Sequence, residues 1–93
     1  MNQQQQRSIQ AIQTNTTTIK QIAEQERQRG ISQKRKRAIE SLYASVVLHA
    51  HKLGLDVPRL SVFYKPDEYL ANCDAILKQI EQKDGTEARH SCC

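Results

Sequence analysis

The sequence predicts an all-α protein, a small three-helix domain with a long central helix and flexible segments at both ends. Three observations support this class. Apolar residues recur at three- and four-residue steps in three segments, which is the spacing of one helix face. Single glycines or a proline separate those segments. The chain has 93 residues, enough for one domain with a small core.

The first helical segment follows a glutamine-rich start. Residues 1–17 are predicted to be a flexible or weakly helical arm, because glutamine and threonine bury little apolar surface. Two interpretations stay open, a single long helix with a weak middle or a frayed segment before a helix starting near Thr18. Thr18 and Gln21 have the spacing of a capping box. We therefore predict a firm helix over 19–28, with 9–17 as a weak extension.

The second helix has a start signal and a stop signal. Gly30 suits the left-handed position that ends a helix, and Ser32 can cap the next one. Apolar residues then continue at helical spacing as far as Leu53. We predict a helix over 32–53, with Leu55 folding back on its last turn.

This middle helix is apolar on more than one face. Tyr43, Val47 and Leu48 lie on its flanks and back, outside the main apolar stripe. A helix that is apolar nearly all round is buried on several sides. We therefore expect it to be the hub of the fold, and we predict that these three residues form a homodimer or partner interface.

The last third of the chain predicts a connector, a helix and a tail. The strand-like stretch 60–64 is either one strand of a β-ribbon paired with a second subunit or an extended connector that places Leu60, Val62 or Phe63 in the core. Proline and two acids then favour a helix start, and we predict a helix over 66–83. The helical domain would span 18–84, followed by a disordered tail over 85–93.

Positive charge is concentrated around the first turn. Up to Arg37 the chain has eight Lys or Arg and two acids, a local charge of +6, whereas the remainder carries −2. Such clustering is the electrostatic footprint of a polyanion-binding surface. The residues predicted to bind nucleic acid are Arg27, Arg29, Gln33, Lys34, Arg35, Lys36 and Arg37.

The position of this cluster resembles a helix-turn-helix, which joins two helices by a short turn. The first residues of a recognition helix touch base edges, so Gln33 with one arginine would read bases while the other cations neutralise phosphates. A dimer would set the spacing of two half-sites. We therefore expect a DNA-binding or nucleoprotein-accessory protein. The run 34–37 also matches a nuclear localisation signal, should the source be eukaryotic.

An alternative function uses the same residues. A helical adaptor or inhibitor would bind a larger protein through apolar helix faces, with the basic patch meeting acidic residues. Low cysteine content and the lack of an apolar targeting or membrane-spanning segment predict a cytoplasmic protein without a membrane partner.

No residue set specifies a reaction, so an enzyme and a cofactor are not expected. His49 and His51 are two residues apart and would point in different directions on a helix, so they would not share a metal. His90, Cys92 and Cys93 fall short of the four ligands that zinc takes in structural sites. Cys73 lies on an apolar stripe and is predicted to be a core residue.

Overall fold

Three α-helices form a bundle, joined by one short turn and one extended connector. The computed structural model describes the backbone of residues 3–92 and the side chains of residues 3–82. The helices are α1 (Gln3–Arg29), α2 (Gln33–Lys52) and α3 (Pro66–Cys92), and no strand occurs in the backbone described. The predicted all-α class is confirmed. The middle helix, however, is the shortest, with 20 residues against 27 in each of the others.

The first helix begins earlier than predicted. α1 is one continuous helix from Gln3, so the single-long-helix interpretation is correct and the expected start at Ile19 is wrong. Thr18 lies inside the helix and does not cap it. The glutamine-rich residues after Gln3 belong to this helix as well, and the predicted flexibility of residues 1–17 stays a prediction.

The threonines are accommodated by bonds to the preceding turn. The Thr17 hydroxyl donates to the carbonyl of Gln13 and the Thr18 hydroxyl to that of Thr14, both at 3.1 Å. Such a bond satisfies the hydroxyl inside the helix but slightly destabilises the helical backbone. Thr16 is buried in the packed face of α1. Tertiary packing of that face stabilises the helix beyond what its residue propensities predict.

The predicted turn chemistry is confirmed at both ends of α2. Gly30 has a φ of +90°, the left-handed conformation that glycine adopts without strain. The Ser32 hydroxyl accepts a hydrogen bond of 3.2 Å from the backbone N–H of Arg35. After the last turn, the N–H of Leu55 donates to the carbonyl of Ala50 at 2.9 Å, so the chain folds back as expected.

The hub of the bundle is α1 and not the middle helix. α1 packs most extensively against α2 and also contacts α3, whereas α2 and α3 contact each other least. The prediction failed because it counted the apolar residues of α2 and took the stripe of α1 to be interrupted. The largest fully buried side chains come from all three helices and are Ile12, Ile19, Ile39, Val46, Cys73 and Ile76.

The connector between α2 and α3 runs back along α3. The N–H of Asp56 donates to Gln79 at 2.9 Å, and further along the Ser61 hydroxyl donates to Glu68 at 2.6 Å. The extended-connector interpretation is therefore the correct one. Of its three candidate core residues, Leu60 packs against the core, whereas Val62 and Phe63 are exposed.

α3 begins at Pro66, as predicted, but its helical backbone continues past the expected stop near 83 to Cys92. The predicted disorder of residues 85–93 stays a prediction, because the side chains of this segment lie outside the described range. The proposed homodimer also stays a prediction.

Candidate binding surface

The turn between α1 and α2, the first turn of α2 and residues 61–67 meet at one end of the bundle, which we call the basic end. Tyr64 joins these parts. Its hydroxyl donates to the carboxylate of Glu26 on α1 at 2.7 Å, and the Lys36 ammonium on α2 lies 5.5 Å from the centre of its ring. Burial and the Glu26 bond raise the pKa of Tyr64 above its usual value, so the phenol remains a donor.

Three of the predicted nucleic-acid contacts are engaged inside the chain. Arg27 pairs with Asp67 at 2.7 Å and with Glu24 at 3.3 Å. The hydrogen bond to Asp67, together with its charge, raises the pKa of Arg27. Arg35 donates to the carbonyl of Gly30 at 3.2 Å. Lys36 rests on the Tyr64 ring, as described above, and so shares in holding the basic end together.

The remaining predicted residues are exposed and face outward. With about 3.6 residues per turn, Gln33, Lys34 and Arg37 lie on the side of α2 opposite its buried face. Arg29 is exposed on the other side of the turn. Among the described side chains, Arg27 is the only basic residue that forms an ion pair. Within that range, Arg29, Lys34 and Arg37 therefore lack a carboxylate partner.

The two helices at this junction form an antiparallel hairpin. Asn15 on α1 donates to Ser45 on α2 at 3.1 Å, and Ser8 lies 3.1 Å from His49, so the helices stay side by side to the far end. In a DNA-binding helix-turn-helix the helices cross at roughly 90–120°. The geometry expected from that resemblance is therefore not formed, because α2 packs against α1 along its length.

Large apolar side chains are exposed at the same end. Ile31 is 63% exposed in the turn, and Val62 and Phe63 are 96% and 74% exposed in the connector. Ile31 lines a small hollow with Pro66, which places it close to the start of α3. Sequence reasoning missed this cluster because it counted Val62 and Phe63, together with Leu60, as candidate core residues. The sequence signal that could have indicated exposed connector residues was the lack of helical periodicity before Pro66.

An aromatic cluster fixes the connector beside these residues. The rings of Tyr43 and Tyr69 meet edge-on with centroids 4.9 Å apart, and Tyr64 lies 5.7 Å from Tyr69. Asn72 donates to the Tyr43 hydroxyl at 3.0 Å and to the Pro58 carbonyl at 2.9 Å. Burial raises the pKa of Tyr43 and of Tyr69.

The predicted dimer interface separates into buried and exposed members. Tyr43 belongs to the core of its own chain and is not available at the surface. Val47 is partly buried and packs against the core, while Leu48 is 55% exposed. The homodimer or partner interface thus stays a prediction for Leu48 and for the exposed part of the Val47 side chain only.

A second cleft lies at the opposite end of the hairpin, between the first turns of α1 and the last turn of α2. It encloses about 510 Å³ and includes the Ser8–His49 pair, which sequence reasoning did not find. Arg7 and Lys52 also line it, and no carboxylate among the described side chains does. The signal in the sequence was weak, because the partners are 41 residues apart.

Within the described side chains, no group of three His, Cys, Asp or Glu residues could hold a metal ion. Cys73 is fully buried, as predicted, and burial raises the pKa of its thiol. His90, Cys92 and Cys93 lie outside the described side chains. Over the described residues, none of the helices has an apolar stretch that could cross a bilayer.

Comparison of the chain with protein-family models, with curated proteins and with solved structures finds no match.

Proposed function

We propose that this protein is a small helical adaptor whose basic end binds an acidic segment of a larger protein. The observation that carries the proposal is the juxtaposition of unpaired cations with exposed apolar side chains at one end. Arg29, Lys34 and Arg37 supply the charge, and Ile31 and Phe63 supply apolar anchors. Aromatic and arginine side chains are the groups enriched in protein interfaces.

The surface has few internal competitors for an acidic partner. Of the carboxylates at this end, Glu26 accepts from Tyr64, Asp67 pairs with Arg27, and Glu68 accepts from Ser61. Glu40, whose charge also acts on Tyr64, is exposed and forms no ion pair with the outward cations. The outward cations therefore remain available to a partner. A partner carboxylate placed against them would gain a charge-assisted hydrogen bond.

The apolar residues are held in place before binding. Tyr64 anchors the connector beside Phe63 and Val62, and the Ser32 cap fixes the turn that carries Ile31. A surface ordered in advance loses less conformational freedom on association. The favoured partner is therefore an acidic segment with apolar side chains that cover this surface.

A second candidate, nucleic-acid binding, is favoured by one observation. Gln33, Lys34 and Arg37 share the outer face of the first turn of α2, where hydrogen-bonding groups could reach phosphates or base edges. Electrostatic binding of DNA grows with the number of phosphates neutralised. With Arg27 held by carboxylates, fewer cations are available for this function than the sequence predicts.

Two matched double variants distinguish these functions. K34Q/R37Q removes charge, and V62S/F63S removes exposed apolar surface. All four side chains are exposed, so neither double variant changes the core. The probes are duplex DNA and acidic peptides selected from a random display library. If the protein is an adaptor, both double variants should weaken peptide binding. If it binds nucleic acid, only K34Q/R37Q should weaken DNA binding.

The exposed Lys20, on the middle of α1, provides the control. K20Q changes net charge without touching the basic end and should leave peptide affinity within about twofold of wild type, since exposed charges beyond a Debye length are largely screened. Selection of peptides that are neither acidic nor apolar would contradict the proposal. So would acidic peptides whose affinity is equal in wild type and V62S/F63S.

A further inference from the structure

The cleft at the end opposite the basic end combines cationic and hydroxyl groups. Arg7 and Ser8 come from the first turns of α1, and His49 and Lys52 from the last turn of α2. Ser8 is only 6% exposed, and its hydroxyl lies 3.1 Å from Nδ1 of His49. We propose that this cleft binds the phosphate group of a small phosphorylated ligand.

The donor set matches phosphate chemistry. A guanidinium offers paired N–H donors that suit the oxygens of a phosphate, and an ammonium adds a compact point charge. Arg7 and Lys52 are exposed at the mouth of the cleft, so both can reach a bound anion. Among the side chains of residues 3–82, no acidic one lines the cleft. Within that range, Arg7 and Lys52 therefore have no carboxylate partner that would compete with a ligand.

The Ser8–His49 contact adds a fixed polar floor. His49 is partly buried, and its bond to Ser8 orients the ring so that Nε2 is the nitrogen left for a ligand. A hydrogen bond to one ring nitrogen holds an imidazole in one orientation. A phosphate oxygen would then meet an oriented imidazole between the two exposed cations, Arg7 and Lys52.

The size of the cleft indicates a small ligand. A volume of about 510 Å³ lies within the range of small-molecule pockets, roughly 300–1,000 Å³. Leu53 supplies an apolar wall, which would contact the uncharged part of the ligand. The same phosphate chemistry is present in a soluble metabolite-like monoester and in a phosphatidic acid headgroup. These two sources differ in whether the ligand is embedded in a bilayer.

NMR titration with inorganic phosphate and with ribose 5-phosphate tests the site directly. Saturable shifts are expected in the backbone amides around Ser8 and Lys52, stronger for ribose 5-phosphate because it also covers Leu53. The variant R7Q/K52Q should weaken binding about tenfold or more, since each charged hydrogen bond is worth that order of affinity. Both side chains are exposed, so the fold is kept, which a dispersed spectrum verifies.

Two further measurements distinguish a lipid headgroup from a soluble ligand and provide the control. Sedimentation with phosphatidic acid vesicles that is lost in R7Q/K52Q assigns the phosphate to a lipid; binding of ribose 5-phosphate without sedimentation assigns it to a soluble ligand. K34Q/R37Q, at the basic end, should leave the shifts unchanged. The proposal is overturned if no shift saturates, if the shifts centre on the basic end, or if R7Q/K52Q binds as wild type does.

Discussion

Replacing Tyr64 with phenylalanine tests how the basic end is held together. The change removes one hydroxyl and keeps the ring that packs on Tyr69 and lies beneath Lys36. Glu26 is only 5% exposed, and one of its carboxylate oxygens already lacks a described partner. Without the 2.7 Å bond from Tyr64, the other oxygen would also be unsatisfied.

The expected loss follows from that geometry. A hydrogen bond to a buried charged group contributes about 1.5–3 kcal/mol. Tyr64 is partly buried, so we expect Y64F to lower the free energy of unfolding by about 2 kcal/mol. In a domain of this size, that loss lowers the melting temperature on the order of 10 °C. Urea unfolding followed by circular dichroism measures it.

A matched control uses Tyr69, whose ring is buried but whose hydroxyl has no described hydrogen-bond partner. Y69F should cost less than about 1 kcal/mol. The double variant E26Q/Y64F should regain part of the loss, because it removes the buried charge that Y64F leaves unpaired. Equal stability of Y64F and wild type would refute the argument that this bond anchors the connector.

Further predictions concern the core, the thiol, pH and the outer face of α2. I76A should lower the free energy of unfolding by about 2–5 kcal/mol, because Ile76 is fully buried and its loss leaves a cavity. With the two terminal cysteines changed to serine, Cys73 should react with a thiol reagent only when the protein unfolds, because its side chain is fully buried and out of reach of the reagent. The raised pKa of Tyr64 favours the neutral phenol in the folded state, so stability should hold below about pH 10 and fall as pH rises above it. L48E should leave monomer stability within about 0.5 kcal/mol, since Leu48 is 55% exposed, and sedimentation before and after the change tests the predicted dimer.

Local chemistry made the helix boundaries near the turns predictable from sequence. Ser32 caps α2 through its own hydroxyl, and Gly30 takes a left-handed conformation that the sequence alone indicates. The start of α1 was not predictable in the same way. Its threonines have low helix propensity, and only their bonds to Gln13 and Thr14 and the packing of α1 show that the helix continues.

The candidate site was predictable in charge but not in arrangement. The sequence places the cations together along the chain, yet five successive residues of a helix point in all directions. Long-range partners then decide which cations remain available. Arg27 is engaged by Asp67, 40 residues away, and Lys36 by the ring of Tyr64. The exposure of Phe63 likewise depends on the path of the connector along α3, which no local pattern encodes.

Charge and apolar surface at the basic end are proposed to act together on one acidic protein segment. The decisive measurement is the affinity of V62S/F63S, relative to wild type and to K34Q/R37Q, for the strongest acidic peptide from the display selection. Each double variant should bind at least about tenfold more weakly, because each removes one of two required contributions. Full affinity in V62S/F63S, with loss only in K34Q/R37Q, would contradict it and favour an electrostatic surface for nucleic acid.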